Sequence, residues 1–248
     1  MNVDEIQRKA LELGPWVNSF EFDGTTYPLS DRKRAANAEL PAPPRKGRAQ
    51  AFFEVFPDTR HILELGALEG ADTVRLARRP GTAVVAVEGR ADNLARAEFI
   101  IGLHQLANVE LMCADVETLD FEALGTFDAV LCAGLLYHLQ EPWKLLHQLA
   151  KITDRLFIST HYWGGVGTER AADGYTVKLV REEHPEPRTR ALTETVLWFD
   201  RESLLHAIKD AGFDAVNILH DAPTATVCDM IVACHRTSPH RPSGTTAA

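Results

Sequence analysis

Cysteine is scarce in this chain, and no window of the sequence is apolar for long enough to cross a membrane. The four cysteines, Cys113, Cys132, Cys228 and Cys234, are scattered and form no Cys-x-x-Cys pair, so we interpret them as reduced core thiols. The first residues, MNVDEIQRKALELG, lack the apolar stretch of a secretory signal peptide. Together these absences predict a cytoplasmic protein without a membrane span.

The sequence also lacks an excess of basic residues. Its 26 lysines and arginines stand against 35 aspartates and glutamates, which gives a formal net charge of -9. This balance argues against a surface that wraps nucleic acid, although it is compatible with a local basic patch. With 45% apolar and 25% charged residues in 248, the composition is that of one globular domain. We expect a small-molecule partner, and a homodimer only as the commonest form of assembly.

Short apolar runs alternate with longer amphipathic segments between residues 60 and 160, a pattern typical of βα units that build a parallel sheet. The strands predicted from it are HILELG (61–66), AVVAVEG (83–89), VELMCAD (109–115), FDAVLCAG (127–134) and RLFISTHYW (155–163). A helix, RESLLHAIKDAGF, and two strands, DAVNILH and VCDMIVACHR, follow later. The prediction is a doubly wound α/β domain over residues 60–236.

Three segments lie outside this repeat. Residues 1–59 form a leader with an amphipathic helix, a hairpin at Asp23-Gly24 and a basic linker, and its role is either packing or shaping of the substrate site. Residues 164–197 are too long for a plain connector, so we expect a lid with a small hairpin around YTVKLV. Residues 237–248 are expected to be a disordered tail.

The string LELGALEGADT carries the strongest site signal. It places Glu64 near a strand end and Gly66 and Gly70 in the turn into a helix, where glycine lets the backbone approach a ligand. Two further acids follow the next strands, Glu88 after AVVAV and Asp115 after VELMCA. An acid after the second strand is positioned to accept ribose hydroxyls, so the series suits a nucleoside at the strand ends.

These motifs resemble those of the class I S-adenosylmethionine-dependent methyltransferases over residues 60–236. LELGALEG is similar to the family's first motif, VEG to its second, CADV to its third, and FDAVLCAGLLYHLQEPWKLLHQL to its fourth strand and helix. The resemblance implies a Rossmann-like, seven-stranded, mostly parallel sheet whose antiparallel last strand lies beside the fifth. It also implies S-adenosylmethionine as cofactor, bound near Glu64, Gly66 and Gly70 (methionine part), Glu88 (ribose), and Asp115 and Val116 (adenine), with Gly89 and Ala133 as further cofactor-binding residues.

One residue departs from the family pattern: Leu68 replaces its common middle glycine, which leaves the path of the turn open. The chain also resembles a bacterial subgroup with LELG-x-LEG, G-x-LYH-x-x-x-P and THY motifs, present here as LELGALEG, GLLYHLQEP and THYW. Its LYH is similar to that of wobble-uridine carboxymethyl transferases. Neither resemblance names the substrate.

Methyl transfer to a hydroxyl needs positioning and a base that removes the proton. His138 follows the fourth predicted strand and His161 ends the fifth, so both are candidate bases facing the cleft. Alternatively, His138 caps a helix or bonds the cofactor, and His161 holds the lid. The aromatic residues Tyr137, Tyr162 and Trp163 are candidate walls for the acceptor, with core packing as the alternative for Trp163.

Two other features allow more than one interpretation. A divalent ion between His138, His161 and a carboxylate is conceivable, as in some sugar methyltransferases, but we predict no metal site. The basic run Arg45, Lys46 and Arg48 either reaches an anionic acceptor or the cofactor carboxylate, or forms a solvated linker, which is the simpler interpretation.

The predicted function is an O-methyltransferase acting on a small hydroxylated acceptor, a saccharide or a specialised metabolite, with a histidine general base. The alternatives are a tRNA-base alkyltransferase of the wobble-uridine type and a non-catalytic cofactor-binding scaffold. A nicotinamide enzyme is disfavoured because the chain has no Gly-x-Gly-x-x-Gly.

Overall fold

The computed structural model describes residues 1–27, 47–170, 173–183 and 187–238. The predicted tail lies almost entirely outside these residues, as do Arg45 and Lys46 of the basic run.

The α-helices of the described residues are α1 (Val3–Glu12), α2 (Arg48–Val55), α3 (Ala71–Ala77), α4 (Ala91–Leu103), α5 (Pro142–Ile152) and α6 (Arg201–Asp210). The strands are β1 (Phe20–Phe22), β2 (Thr25–Tyr27), β3 (His61–Leu65), β4 (Ala83–Glu88), β5 (Val109–Cys113), β6 (Ala129–Ala133), β7 (Arg155–Trp163), β8 (Glu169–Arg170), β9 (Thr176–Arg181), β10 (Thr195–Phe199), β11 (Ala215–Ala222) and β12 (Val227–His235). Each of the five predicted strands of the repeat is present, within two residues at either end.

A seven-stranded sheet organises the chain, with the order β11-β12-β7-β6-β3-β4-β5. The five strands from β7 to β5 pair in parallel, whereas β12 is antiparallel to both β7 and β11. This topology confirms the predicted doubly wound sheet with an antiparallel last strand inserted beside the fifth. The parallel strands end at one edge, where ligands bind in open α/β sheets.

Apolar side chains cover both faces of this sheet. Every residue of the central strand β6 is buried, as expected for a strand with helices on each face. Because side chains alternate along a strand, the two faces of β7 differ: Ile158 packs with the core on the α5 and α6 side, and Phe157 contacts Phe52 of α2 on the other side. This alternation decides below which residues of β7 reach the site.

The leader packs on the domain through its own apolar residues. Helix α1 begins with a capping box formed by Asn2 and Glu5, and the hairpin of β1 and β2 turns at Asp23 and Gly24, both with positive φ. The buried leader side chains cluster with residues of α3 and α4: Ile6, Ala10, Trp16, Phe20 and Tyr27 against Val74, Ile100 and Ile101. The leader therefore lies on the helices next to the cofactor loop described below.

The segment after β7 contributes a three-stranded antiparallel sheet of order β10-β9-β8. Strand β9, within the YTVKLV run, pairs with β10 over five residue pairs. The sheet is attached to the domain because Leu197 donates its backbone N–H to the Leu139 carbonyl at 2.9 Å. Among the described residues, no helix is both long and apolar enough to span a bilayer.

Candidate active site

A cavity opens at the carboxyl ends of β3, β4 and β6, beside the loop that joins β3 to α3. We call residues 66–70 the cofactor loop. Most of the residues predicted to bind the cofactor line this cavity: Glu64, Gly66, Glu88, Gly89, Asp115, Val116 and Ala133. The exception is Gly70, which lies at the base of the loop.

The two glycines of the cofactor loop are required by its shape. Gly66 and Gly70 have φ of 79° and 80°, where a Cβ is disfavoured. A Cβ on Gly70 would lie 3.1 Å from the Ala97 Cβ, so glycine allows α3 and α4 to approach. Gly70 thus acts through packing, whereas Gly66 borders the cavity directly.

Leu68 resolves the open question about the turn, because it adopts the left-handed conformation that glycine normally supplies, with φ of 51°. This conformation costs an L-residue about 1–2 kcal/mol. The Leu68 N–H donates to Glu88 Oε2 at 2.8 Å, which fixes the strained residue to the end of β4. The turn therefore takes the path that a glycine at this position would allow, although the residue is leucine.

Glu64 is a buried carboxyl, 3% exposed, whose Oε2 has no hydrogen-bond partner in the described part of the chain. Burial raises its pKa to about 8, and the neighbouring Asp72 carboxylate adds to this effect. Arg48 approaches from α2 and pairs with Asp72 at 2.8 Å. This wall therefore presents an unsatisfied acid and a cation, which suits a zwitterionic amino acid.

Glu88, the acid predicted to bind the ribose, has both carboxylate oxygens hydrogen-bonded. Glu88 Oε1 accepts hydrogen bonds from the Arg90 N–H at 3.0 Å and from Asn93 Nδ2 at 3.2 Å. Residues 188–192 cover this side, because Arg90 donates to the Ala191 carbonyl at 2.7 Å and Asn93 donates to the Arg188 carbonyl at 3.0 Å. The segment predicted as a lid therefore contributes residues 188–192 to the cavity wall.

Asp115 and Val116 follow β5 at the far end of the cavity. Asp115 Oδ1 accepts the Glu117 N–H at 2.9 Å, which holds the carboxylate toward the turn, and Val116 is buried beside it. An acid next to an apolar surface suits an adenine, which presents an exocyclic amine and a flat ring.

Next to the cavity, aromatic rings gather around Tyr137. The Tyr137 ring lies 4.1 Å from the His138 ring and 4.3 Å from the His161 ring, measured between centroids. Trp198 of β10 stacks on His161 at 5.7 Å and meets Tyr137 edge to face at 5.6 Å. Burial raises the pKa of Tyr137 to about 12, so its hydroxyl stays protonated at neutral pH. We call Tyr137, His161 and Trp198 the aromatic wall.

Each candidate base is paired with a different carboxylate. His138 Nδ1 lies 2.9 Å from Glu182 Oε1, and this pair is largely buried, with the side chains 15% and 7% exposed. His161 Nδ1 lies 2.6 Å from Asp229 Oδ1 on the neighbouring strand β12, and these side chains are 33% and 39% exposed. The structure thus places His138 against the segment after β9 and His161 at an open position on the sheet.

Two predicted acceptor-wall residues, Tyr162 and Trp163, lie outside the aromatic wall. Tyr162 points to the face of β7 opposite His161, where it is 2% exposed and donates to Asp221 Oδ1 at 2.7 Å. Trp163 shares the face of His161 but lies one step further along the strand, where its Nε1 donates to the Val166 carbonyl at 3.1 Å. Alternation along β7 places Tyr162 on the face opposite His161 and Trp163.

Within the described residues, no group of three or more His, Cys, Asp or Glu side chains is arranged to hold a metal ion. His138 and His161 instead pair separately with Glu182 and Asp229.

Several site residues were not predicted. Asp229 could have been predicted, because an acid in the otherwise apolar strand VCDMIVACH needs a polar partner. Trp198 lies in the apolar run TVLWF and Glu182 in a charged run, and neither has a distinguishing pattern. Asn18 and Glu69 meet through a contact between the leader and the cofactor loop, which no local pattern indicates.

Comparison with known proteins agrees with this geometry. A family model described as a methyltransferase domain matches residues 62–155. The N-terminal domain of EvdMO1, whose crystal structure has S-adenosylhomocysteine (SAH) bound, is 53% identical with a TM-score of 0.86, covering 95% of this chain and 98% of that one. That domain was also crystallised in the presence of SAH and D-fucose.

Other relatives match over a smaller part of their length. The ubiquinone biosynthesis O-methyltransferase of Xanthomonas oryzae pv. oryzae is 30% identical over 102 residues, which is 40% of this chain and 42% of that protein. The chain spans about half of full-length EvdMO1, with 48% covered at 46% identity and a TM-score of 0.74. An S-adenosylmethionine-dependent methyltransferase from Clostridium acetobutylicum shares the fold at 14% identity, with a TM-score of 0.53 over 81% of this chain and 94% of that one.

Proposed function

Since this chain belongs to the class I S-adenosylmethionine-dependent methyltransferases, we propose that it methylates a hydroxyl group of a small, sugar-like acceptor with His161 as general base. The observation that carries the proposal is the His161–Asp229 pair at 2.6 Å, set among the rings of Tyr137 and Trp198.

The cavity fits the cofactor in its polar groups. The unpartnered oxygen of Glu64 suits the ammonium of the methionine part, and the Arg48 guanidinium suits its carboxylate. Glu88 is assigned to the ribose, and Asp115 with Val116 to the adenine. When bound, the cofactor supplies an electrophilic methyl group on a sulfonium.

Both histidines have a carboxylate beside Nδ1, which favours a proton on that nitrogen and leaves Nε2 to accept one. We assign the base to His161 because its side chain is 33% exposed, against 15% for His138, and lies beside the rings of Tyr137 and Trp198. His161 Nε2 would accept the proton of the acceptor hydroxyl as that oxygen bonds the methyl group and the methyl–sulfur bond breaks, which releases SAH. Asp229 then stabilises the charged imidazole.

His138 is better explained as a positioning residue. Its partner Glu182 also accepts the Ala191 N–H through its second oxygen, at 3.3 Å, and Ala191 borders the cofactor cavity. The contact therefore connects the end of β6 to residues 188–192. The contacts of His138 and Glu182 therefore hold two parts of the cavity wall together.

A sugar acceptor is favoured over a nucleic acid for two reasons. Aromatic faces suit the apolar faces of sugar rings, and the relative crystallised with D-fucose is 53% identical to this chain. In addition, the net charge of -9 disfavours a polyanionic acceptor. The alternative of a tRNA base therefore has little support at this surface.

The proposal is tested by supplying methyl-labelled S-adenosylmethionine with D-fucose, other hexoses, a simple phenol or bulk tRNA. We expect a labelled methyl ether on a sugar hydroxyl, located by mass spectrometry and NMR, and loss of labelling in Asp229→Asn. Labelling of tRNA or of the phenol alone would overturn the sugar assignment, and undiminished labelling in Asp229→Asn would overturn the base assignment.

A further inference from the structure

A buried acid in the cofactor loop holds the leader in place. Glu69 is 1% exposed, and its two carboxylate oxygens accept the backbone N–H groups of Val17 at 2.6 Å and Asn18 at 2.7 Å. Burial of Glu69 raises its pKa, and these two hydrogen bonds oppose that shift. The loop thus uses an acid to fix a segment more than 50 residues away in sequence.

This contact brings a leader residue to the cofactor cavity. Asn18 lines the cavity, and in the described part of the chain its side-chain amide makes no hydrogen bond. The same leader segment is attached from the other side, because Arg188 donates to the Pro15 carbonyl. Residues 15–18 are therefore held at both ends across the cavity.

Of the parts of the cofactor, the amino-acid part is the one that residues 15–18 can contact. The nucleoside side already has its cover in residues 188–192, tied down by Arg90 and Asn93. Glu69 lies one residue before α3 begins at its N-cap Gly70, and Ala71 and Asp72 of that helix line the cavity. A carboxamide offers an acceptor to an ammonium and donors to a carboxylate.

We infer that Asn18 binds the amino-acid part of S-adenosylmethionine and that Glu69 positions it through the leader backbone. The inference rests on the placement of the methionine part proposed above, and it makes the leader a component of the cofactor site. No acceptor is involved, so its failure would be distinct from failure of the base assignment.

The test compares two probes, SAH and 5′-methylthioadenosine, which lacks the amino-acid part. Asn18→Ala should weaken SAH binding about tenfold, the loss expected for a hydrogen bond to a charged group, and leave 5′-methylthioadenosine binding unchanged by calorimetry. Unchanged SAH binding would remove Asn18 from the site. Equal weakening of both probes would assign Asn18 to the nucleoside and overturn the inference.

The role of Glu69 is tested by amide hydrogen exchange at residues 15–18. Glu69→Gln should speed this exchange and weaken SAH binding, whereas Asn18→Ala should leave exchange in the free protein slow. Asn2→Ala is the matched control, because it removes the cap of α1 in the same leader and should leave the SAH dissociation constant within about twofold. Slow exchange in Glu69→Gln, or an Asn2→Ala effect as large as that of Asn18→Ala, would overturn the positioning role.

Discussion

The two halves of the strand-end edge are built from different chemical groups. The cofactor half, after β3, β4 and β5, presents buried carboxylates and backbone N–H groups, with Glu64 only 3% exposed. The half after β6 and β7, which we propose holds the acceptor and call the acceptor half, presents aromatic rings and a histidine–aspartate pair whose side chains are 33% and 39% exposed. The first half is proposed to bind the cofactor and the second to orient the acceptor and its base. Affinity and turnover should therefore respond to different substitutions.

The largest expected effect lies in the acceptor half. His161→Asn keeps a polar side chain but removes the base, so kcat should fall by about 100-fold or more, while the SAH dissociation constant stays within about twofold. Steady-state kinetics and calorimetry measure the two quantities.

The matched control is His206→Asn, which removes an exposed histidine 3.2 Å from Asp210 on α6. This control should leave both quantities unchanged. Normal turnover in His161→Asn would show that the base lies elsewhere and would remove the contrast between the two halves.

The two halves also differ in how far they could be predicted. Glu64 and Glu88 lie at the ends of strands in the βα repeat and Asp115 follows one, so a local pattern predicted that these acids would meet at one edge, and all three line the cavity. The aromatic wall is assembled from elements far apart in sequence: Tyr137, His161 and Trp198, with Asp229 behind them. Of these four residues, only Tyr137 and His161 lay just after or at the end of a predicted strand.

The predicted acceptor wall differs from the aromatic wall for a physical reason. Tyr162 was grouped with Tyr137 and Trp163, but neighbouring side chains on a strand point to opposite faces, so Tyr162 lies on the face opposite His161. The alternation of strands and helices was predictable from the hydrophobic pattern, whereas the antiparallel last strand was predicted from the family resemblance. Membership of the LYH and THY subgroup stays a prediction.

An effect of intermediate size is expected in the cofactor half, as the release of a proton when SAH binds. The pKa of Glu64 is about 8 in the folded chain against 4.5 unfolded, so the folded state binds the proton more tightly. Stability from this group is therefore complete below pH 4.5 and is lost as the pH rises toward 8. Because the cofactor ammonium favours the carboxylate, SAH binding at pH 7 should release about one proton.

Calorimetry in two buffers of different ionisation enthalpy measures this release. Glu64→Gln should abolish it and weaken SAH binding about tenfold, the loss of a charged partner. Asp115→Asn, at the other end of the cavity, should weaken binding but keep the proton release. Absence of proton release in the unmodified protein would contradict the assignment of Glu64 to the ammonium.

The smallest expected effect concerns the strained residue of the cofactor loop. Leu68→Gly removes the strain of a left-handed L-residue, while glycine adds about 0.5–1 kcal/mol of unfolded-state entropy, so the net gain in unfolding free energy should be below about 1 kcal/mol. Leu68→Ala loses the same side-chain contacts but keeps the strain, so it should be less stable than Leu68→Gly in denaturant unfolding. A more stable alanine variant would show that the unfolded-state entropy of glycine outweighs the strain of the left-handed conformation at this position.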